Sequence, residues 1–122
     1  MISQSELSQD VGSLPGKKSD AGKEPVFQGL FQYFPRALKA VARVSLYGAK
    51  KYNLEYDDIN WKRVVGGIKR YSDALARHLL AEFTDPDGID PETGEAKIYH
   101  DEMVAWNALA RLELKLIERE KK

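Results

Sequence analysis

Six residues between positions 68 and 85 carry the first chemical signal. Ile68, Tyr71, Leu75, His78, Glu82 and Asp85 follow one another at alternating steps of three and four, the spacing of a single helical face. The face is apolar where it begins and ionisable where it ends. A second line, Ile98, Glu102, Ala105, Leu109, Leu112 and Leu116, also places a carboxylate near one end, beside Asp101. If the two helices pack antiparallel, Glu82 and Asp85 face Asp101 and Glu102. Four carboxylates beside a core are costly unless a cation neutralises them, so a divalent metal is the economical expectation. The alternative is a frayed pair of helix ends, with Asp101 and Glu102 favoured by the macrodipole of a helix N-terminus.

Composition narrows the metal. The chain has 122 residues, two histidines and no cysteine, which removes thiolate zinc sites, iron–sulfur clusters, disulfides and cysteine nucleophiles. A metal here must be held mostly by oxygen, which favours Mg²⁺, Mn²⁺ or Ca²⁺. His78 reads either as a hydrogen-bonded core residue or as a group that orients a carboxylate or a water. Trp61 and Trp106 divide similarly: Trp106 suits the core, whereas Trp61, beside Asn60, could stack on or hydrogen-bond a ligand.

Three helices are needed to position these residues. The spacing predicts helices over 35–52, 61–84 and 97–120, with Pro35 at the first turn of the first, a weak point at Gly66-Gly67 and a polar loop over 53–60. The first helix is expected to bury Leu38, Val41, Ser45 and Ala49, with Arg36, Arg43 and Lys50 a heptad apart on another face that either is solvated or contacts phosphate. Asp85-Pro86-Asp87-Gly88 and Asp90-Pro91-Glu92-Thr93-Gly94 are successive turn signals. No strand pattern or internal repeat is visible, so the fold class is all-α, a small helical bundle. Residues 1–24 are polar and predict a flexible arm ahead of a single helical domain over 25–122. Lys plus Arg and Asp plus Glu each number 19, which argues against duplex DNA as the main partner. No apolar run spans a bilayer and no signal peptide is evident, so a cytoplasmic location is expected.

Several short motifs then recur in a telling order: Lys18-Ser19-Asp20-Ala21-Gly22-Lys23, Tyr47-Gly48-Ala49-Lys50-Lys51-Tyr52, Asn60-Trp61, Arg77-His78-Leu79-Leu80-Ala81, Asp90-Pro91-Glu92-Thr93-Gly94, then His100 and Asn107. Over about 18–116 the chain resembles the phage and bacterial dATP/dGTP diphosphohydrolases, a group similar to the all-α nucleotide pyrophosphohydrolases of the MazG type. The resemblance implies hydrolysis of a purine deoxynucleoside triphosphate, dGTP or dATP, to the monophosphate and pyrophosphate, with Mg²⁺ or Mn²⁺ as cofactor and a homodimer or homotetramer of helical protomers. It also implies a role in supplying dGMP for modified-purine nucleotides of a phage. The 18–23 stretch could close over the ligand. In the general MazG pattern a Glu-x-x-Glu pair faces Glu-x-x-Asp. Here the first pair reads Glu82-x-x-Asp85, but Glu102 is followed three positions on by Ala105, leaving Asp101, His100 or Glu92, in that order, to complete the site.

The expected mechanism is attack of water on the α-phosphorus, assisted by metal held by Glu82, Asp85, Asp101 and Glu102. Glu82 is the expected base, with His78 beside it. Lys50, Lys51, Arg70 and Arg77 are expected to neutralise charge on the leaving pyrophosphate, and Asn60 and Trp61 to hold the nucleoside. Two other readings compete. One is a non-catalytic module whose stripe of Arg36, Lys39, Arg43 and Lys50 docks an acidic partner or nucleic acid. The other is a purely structural helical oligomer.

Overall fold

Pro35 supplies the fixed φ that starts helix α1, Pro35–Lys51. Lys50 and Lys51 sit in its last turn, where cations complement the macrodipole. The helix stops because Asn53 turns to a positive φ of 56° and the Leu54 N–H bonds back to the Ala49 carbonyl at 2.8 Å. Its inward face is centred on Val44, with Leu38, Val41 and Tyr47 half-buried. That is a small rotation from the expected face. Ser45 lies at its margin, exposed, and its hydroxyl accepts the Trp106 indole N–H at 2.9 Å.

The helix expected over 61–84 is broken at its weak point. Residues Asn60–Arg63 form a short 3₁₀ turn. Gly66 then adopts a left-handed φ of 67°, and helix α2 runs only from Gly67 to Ala81. Gly67 is buried against the far end of the third helix, where a Cβ would lie 2.9 Å from Leu114 Cδ1. After Ala81 the backbone tightens: the Thr84 and Asp85 N–H groups both donate to the Ala81 carbonyl. Asp85 is extended, with φ −84° and ψ 143°, so it leaves the helical line before Pro86.

The following loop is pinned rather than loose. Ile89 and Tyr99 form an isolated antiparallel bridge, and the Asp90 N–H donates to the Ile98 carbonyl at 2.9 Å. Between them Pro91–Ala96 make 3₁₀ turns capped by Asp90, whose Oδ1 accepts the Glu92 N–H at 3.0 Å. Buried Thr93 donates its hydroxyl to the Asp90 carbonyl at 2.6 Å and accepts the Ile98 N–H at 3.0 Å. Because Ile98 and Tyr99 are taken up in this pin, helix α3 begins at His100, later than expected, and runs to Glu120.

Helix α3 is central, packing extensively on α2 and also on α1. The start of α2 meets Leu114 and its end meets His100, so α2 and α3 are antiparallel. The buried face of α3 is Met103, Asn107 and Ala110, while Leu109, Leu112 and Leu116 are exposed. The expected line of leucines is thus displaced by one carrying smaller or polar residues. Val44, Ile98 and Met103 make the core, with Tyr47 and Trp106 packed against them. Among the described residues there is no strand, and the domain is all-α.

The computed structural model describes residues 16–55 and 59–122. The expected arm therefore lies outside the described residues over 1–15, as does the loop over 56–58. Two compact units are distinguished, Met1–Tyr33 and Phe34–Lys122; the helices α1 to α3 belong to the second. In the first, Phe27–Phe31 form one π-helical turn, with the two phenylalanine rings edge to face at 6.0 Å. Within 18–23, the Lys23 N–H closes a turn on the Asp20 carbonyl. No helix is long and apolar enough to cross a membrane, among the described residues.

Candidate active site

The antiparallel pairing brings the last turn of α2 against the first residue of α3, and so sets His78 opposite His100. Their Nδ1 atoms are 2.9 Å apart, with the rings 5.1 Å apart between centroids. The other nitrogen of His100, Nε2, lies 2.6 Å from Asp85 Oδ2. A carboxylate there assigns the proton to Nε2, so neutral His100 presents a lone pair at Nδ1. A second imidazole nitrogen faces that lone pair, and a proton or a cation must lie between them. Asp90 completes the group, its Oδ2 3.9 Å from His78 Nδ1. His100 and Asp90 are buried and His78 is half-buried. Burial pushes the His78 pKa below its ordinary 6.5; the nearby Asp90 carboxylate opposes this, while His100 and Arg77 reinforce it.

The other expected ligands are placed differently. Glu82 follows α2 directly, half-buried. Asp101 is exposed in the first turn of α3. Both oxygens of Glu102 are engaged by Arg43 Nη2, at 2.9 and 3.2 Å, and Oε2 also accepts the Tyr99 N–H at 2.8 Å. Arg43 further donates to the Ala96 carbonyl at 2.8 Å, so this member of the basic stripe is a clamp between α1 and the start of α3. Among the described residues, the group that gathers donors around one point is His78, Asp90 and His100, whose ligand atoms lie within 4.8 Å of one another. Asp85 joins it through His100. Asp90 read in the sequence as a turn residue and as part of the Asp90-Pro91-Glu92-Thr93-Gly94 motif, not as a ligand. Its signal was the burial that Thr93 and Ile98 impose, which local spacing does not carry.

His78 and Asp90 also line a cleft of about 580 Å³ in the helical unit. One part of its wall is aromatic. Trp61, Tyr71 and Trp106 pack edge to face in a triangle with centroid separations of 6.0, 5.8 and 5.7 Å, and the Tyr71 hydroxyl donates to the Trp61 carbonyl at 2.7 Å. Lys51, Arg70 and Arg77 supply cations, while Asn60, Glu92 and Asn107 supply polar groups. Of the residues expected at the substrate, Lys51, Asn60, Trp61, Arg70 and Arg77 line this cleft; Lys50 is exposed in the last turn of α1 and does not.

Compared with known protein families, residues 13–122 match the one described as dATP/dGTP diphosphohydrolase, N-terminal. The chain belongs to this family. No curated protein and no solved structure matches it. The dATP/dGTP diphosphohydrolase match spans the histidine pair, the pinned loop and the cleft together. The metal dependence that the resemblance implies finds donors there, though not the mostly-oxygen set expected from composition: two imidazole nitrogens and one carboxylate, two of the three side chains buried, with Asp85 orienting His100 from behind.

Proposed function

We propose that this chain hydrolyses purine deoxynucleoside triphosphates, dGTP or dATP, to the monophosphate and pyrophosphate, with a divalent ion such as Mg²⁺ or Mn²⁺. One observation carries the reading: a single cleft joins an aromatic wall, three cationic side chains and the His78–Asp90 pair. The family membership agrees with it. Trp61 and Asn60 take the nucleoside, since a base has an apolar face and polar edges. Lys51, Arg70 and Arg77 take the triphosphate, where fixed cations stabilise charge developing on the leaving pyrophosphate. A divalent ion, when bound, polarises a phosphoryl oxygen and makes water more acidic. For the group that accepts the water's proton we prefer Glu92 to Glu82, because Glu92 lines the cleft and Glu82 does not. Glu92→Gln should lower turnover by about 10²-fold or more, with substrate binding retained, while Glu82→Gln should leave turnover near the parent value; the reverse result returns the role to Glu82.

We also take the working form to be a homodimer or homotetramer. Leu79, Leu80 and Phe83 on and after α2, and Leu109, Leu112 and Leu116 on α3, are exposed, and apolar surface of that extent favours association. A cytoplasmic role in a bacterial or phage-infected cell, with dGMP supplied for modified purines, completes the proposal. The test is direct. The purified chain is incubated with each canonical deoxynucleoside and ribonucleoside triphosphate plus Mn²⁺, and the products are identified. Monophosphate and pyrophosphate from dGTP or dATP are expected; diphosphate, nucleoside or no product would overturn the reading.

A further inference from the structure

We infer that His78, Asp90 and His100 form a site for one transition-metal ion of the Mn²⁺, Fe²⁺, Co²⁺ or Zn²⁺ class, in preference to Mg²⁺, with Asp85 as the residue that positions His100. The inference deepens the hydrolase reading by naming its cofactor class and ligands, and rests on that reading only for what the ion is used for.

Four observations carry it. The His78 and His100 Nδ1 atoms face one another at 2.9 Å, and bonds of about 2.1 Å to one ion would set neighbouring ligands at right angles about 3.0 Å apart. The Asp85 carboxylate bonds the opposite nitrogen of His100 at 2.6 Å, fixing the tautomer that leaves Nδ1 free to donate its lone pair. Asp90 supplies the negative charge. It is buried, its Oδ1 is committed to the Glu92 N–H, and its Oδ2 points to within 3.9 Å of His78. Finally, the donor set itself discriminates: Mg²⁺ prefers oxygen and keeps its waters, whereas imidazole nitrogen suits Fe²⁺ and Zn²⁺ best and is accepted alongside a carboxylate by Mn²⁺, which also takes oxygen. A shared proton would explain the histidine pair alone. It would leave the buried Asp90 carboxylate turned toward the pair without a bonded cation.

The experiment uses Mn²⁺ added to the metal-stripped full chain. Binding is measured from the loss of the free-ion electron paramagnetic resonance signal, and nitrogen ligation from spin-echo modulation by ¹⁴N. The expected result is one high-affinity Mn²⁺ per chain with imidazole modulation, resistant to displacement by a large excess of Mg²⁺. His78→Ala and His100→Ala should each reduce that modulation and weaken binding at least tenfold, with circular dichroism confirming the helical fold. Asp85→Asn keeps an acceptor but loses the charge, so it should shift the modulation frequency and weaken binding by about 10–100-fold. Glu102→Gln should change neither. Bound Mn²⁺ without nitrogen modulation, displacement by equimolar Mg²⁺, or no binding at all would overturn the site, and the unmodified chain alone decides these. Product analysis runs in parallel. Hydrolysis without nitrogen modulation sinks this site and leaves the hydrolase reading standing, whereas a nitrogen-ligated ion without hydrolysis does the converse.

Discussion

At the scale of single residues, the two histidines answer to different neighbours. His100 is held by Asp85, whereas His78 is governed by burial, which lowers its pKa from the ordinary 6.5. The unfolded chain therefore takes up this proton first as the pH falls. Stability from His78 is complete above the unfolded pKa, about 6.5, is lost as pH falls toward the folded value, and then levels off. Urea midpoints of the metal-free chain measured between about pH 8 and pH 5 should decline through that window, and His78→Gln should flatten the decline; an equal slope in the variant would remove His78 as its source. His78 and Asp85 stood out in the sequence because an apolar helical line ended on them. Asp90 and Glu102 were harder to read. The role of Asp90 depends on a loop pinned to Ile98, and that of Glu102 on Arg43, 59 residues away. Neither pairing leaves a local periodic trace.

The elements follow the same division. Helix periodicity and Pro35 sufficed to place α1, but the register of its inward face depended on what Trp106 and Met103 left to fill. Gly66-Gly67 was legible as a weak point. That it separates a 3₁₀ turn from α2 follows from one local and one tertiary fact: the left-handed Gly66 and the approach of Leu114 to Gly67. Gly66→Ala meets no neighbour within 4 Å, so its cost is conformational alone, about 1–2 kcal/mol for a residue with a Cβ in the left-handed region. Denaturant unfolding should show that loss with the cleft's ligand affinity little changed. A neutral result would mean that the turn is free to take another conformation.

For the whole molecule, the all-α class was evident from length, helical spacing and the lack of strand patterns. The size of its core was not. The buried apolar residues described are Val44, Ile98, Met103 and Ala110, and Ile98 alone is fully buried. A core this small concentrates stability in few side chains. Ile98→Ala should cost about 2–5 kcal/mol, read from the urea midpoint, and a cost below about 1 kcal/mol would show that the core lies elsewhere. The exposed leucines of α3 point the same way. Light scattering should return a mass of two or four protomers, and Leu112→Glu should lower it; a monomeric parent chain would refute the association.

The pin between Ile89 and Tyr99 has a consequence for how the site comes into being. Asp85, Asp90 and His100 lie within one short stretch of chain, so gathering them closes only a small loop and costs little entropy. Only His78 arrives from the preceding helix. The amides of Asp90 and Ile98, which hold the pin shut, are therefore built-in reporters. Their exchange with solvent deuterium measures how often the constellation opens, and an ion held by His78, Asp90 and His100 would slow it.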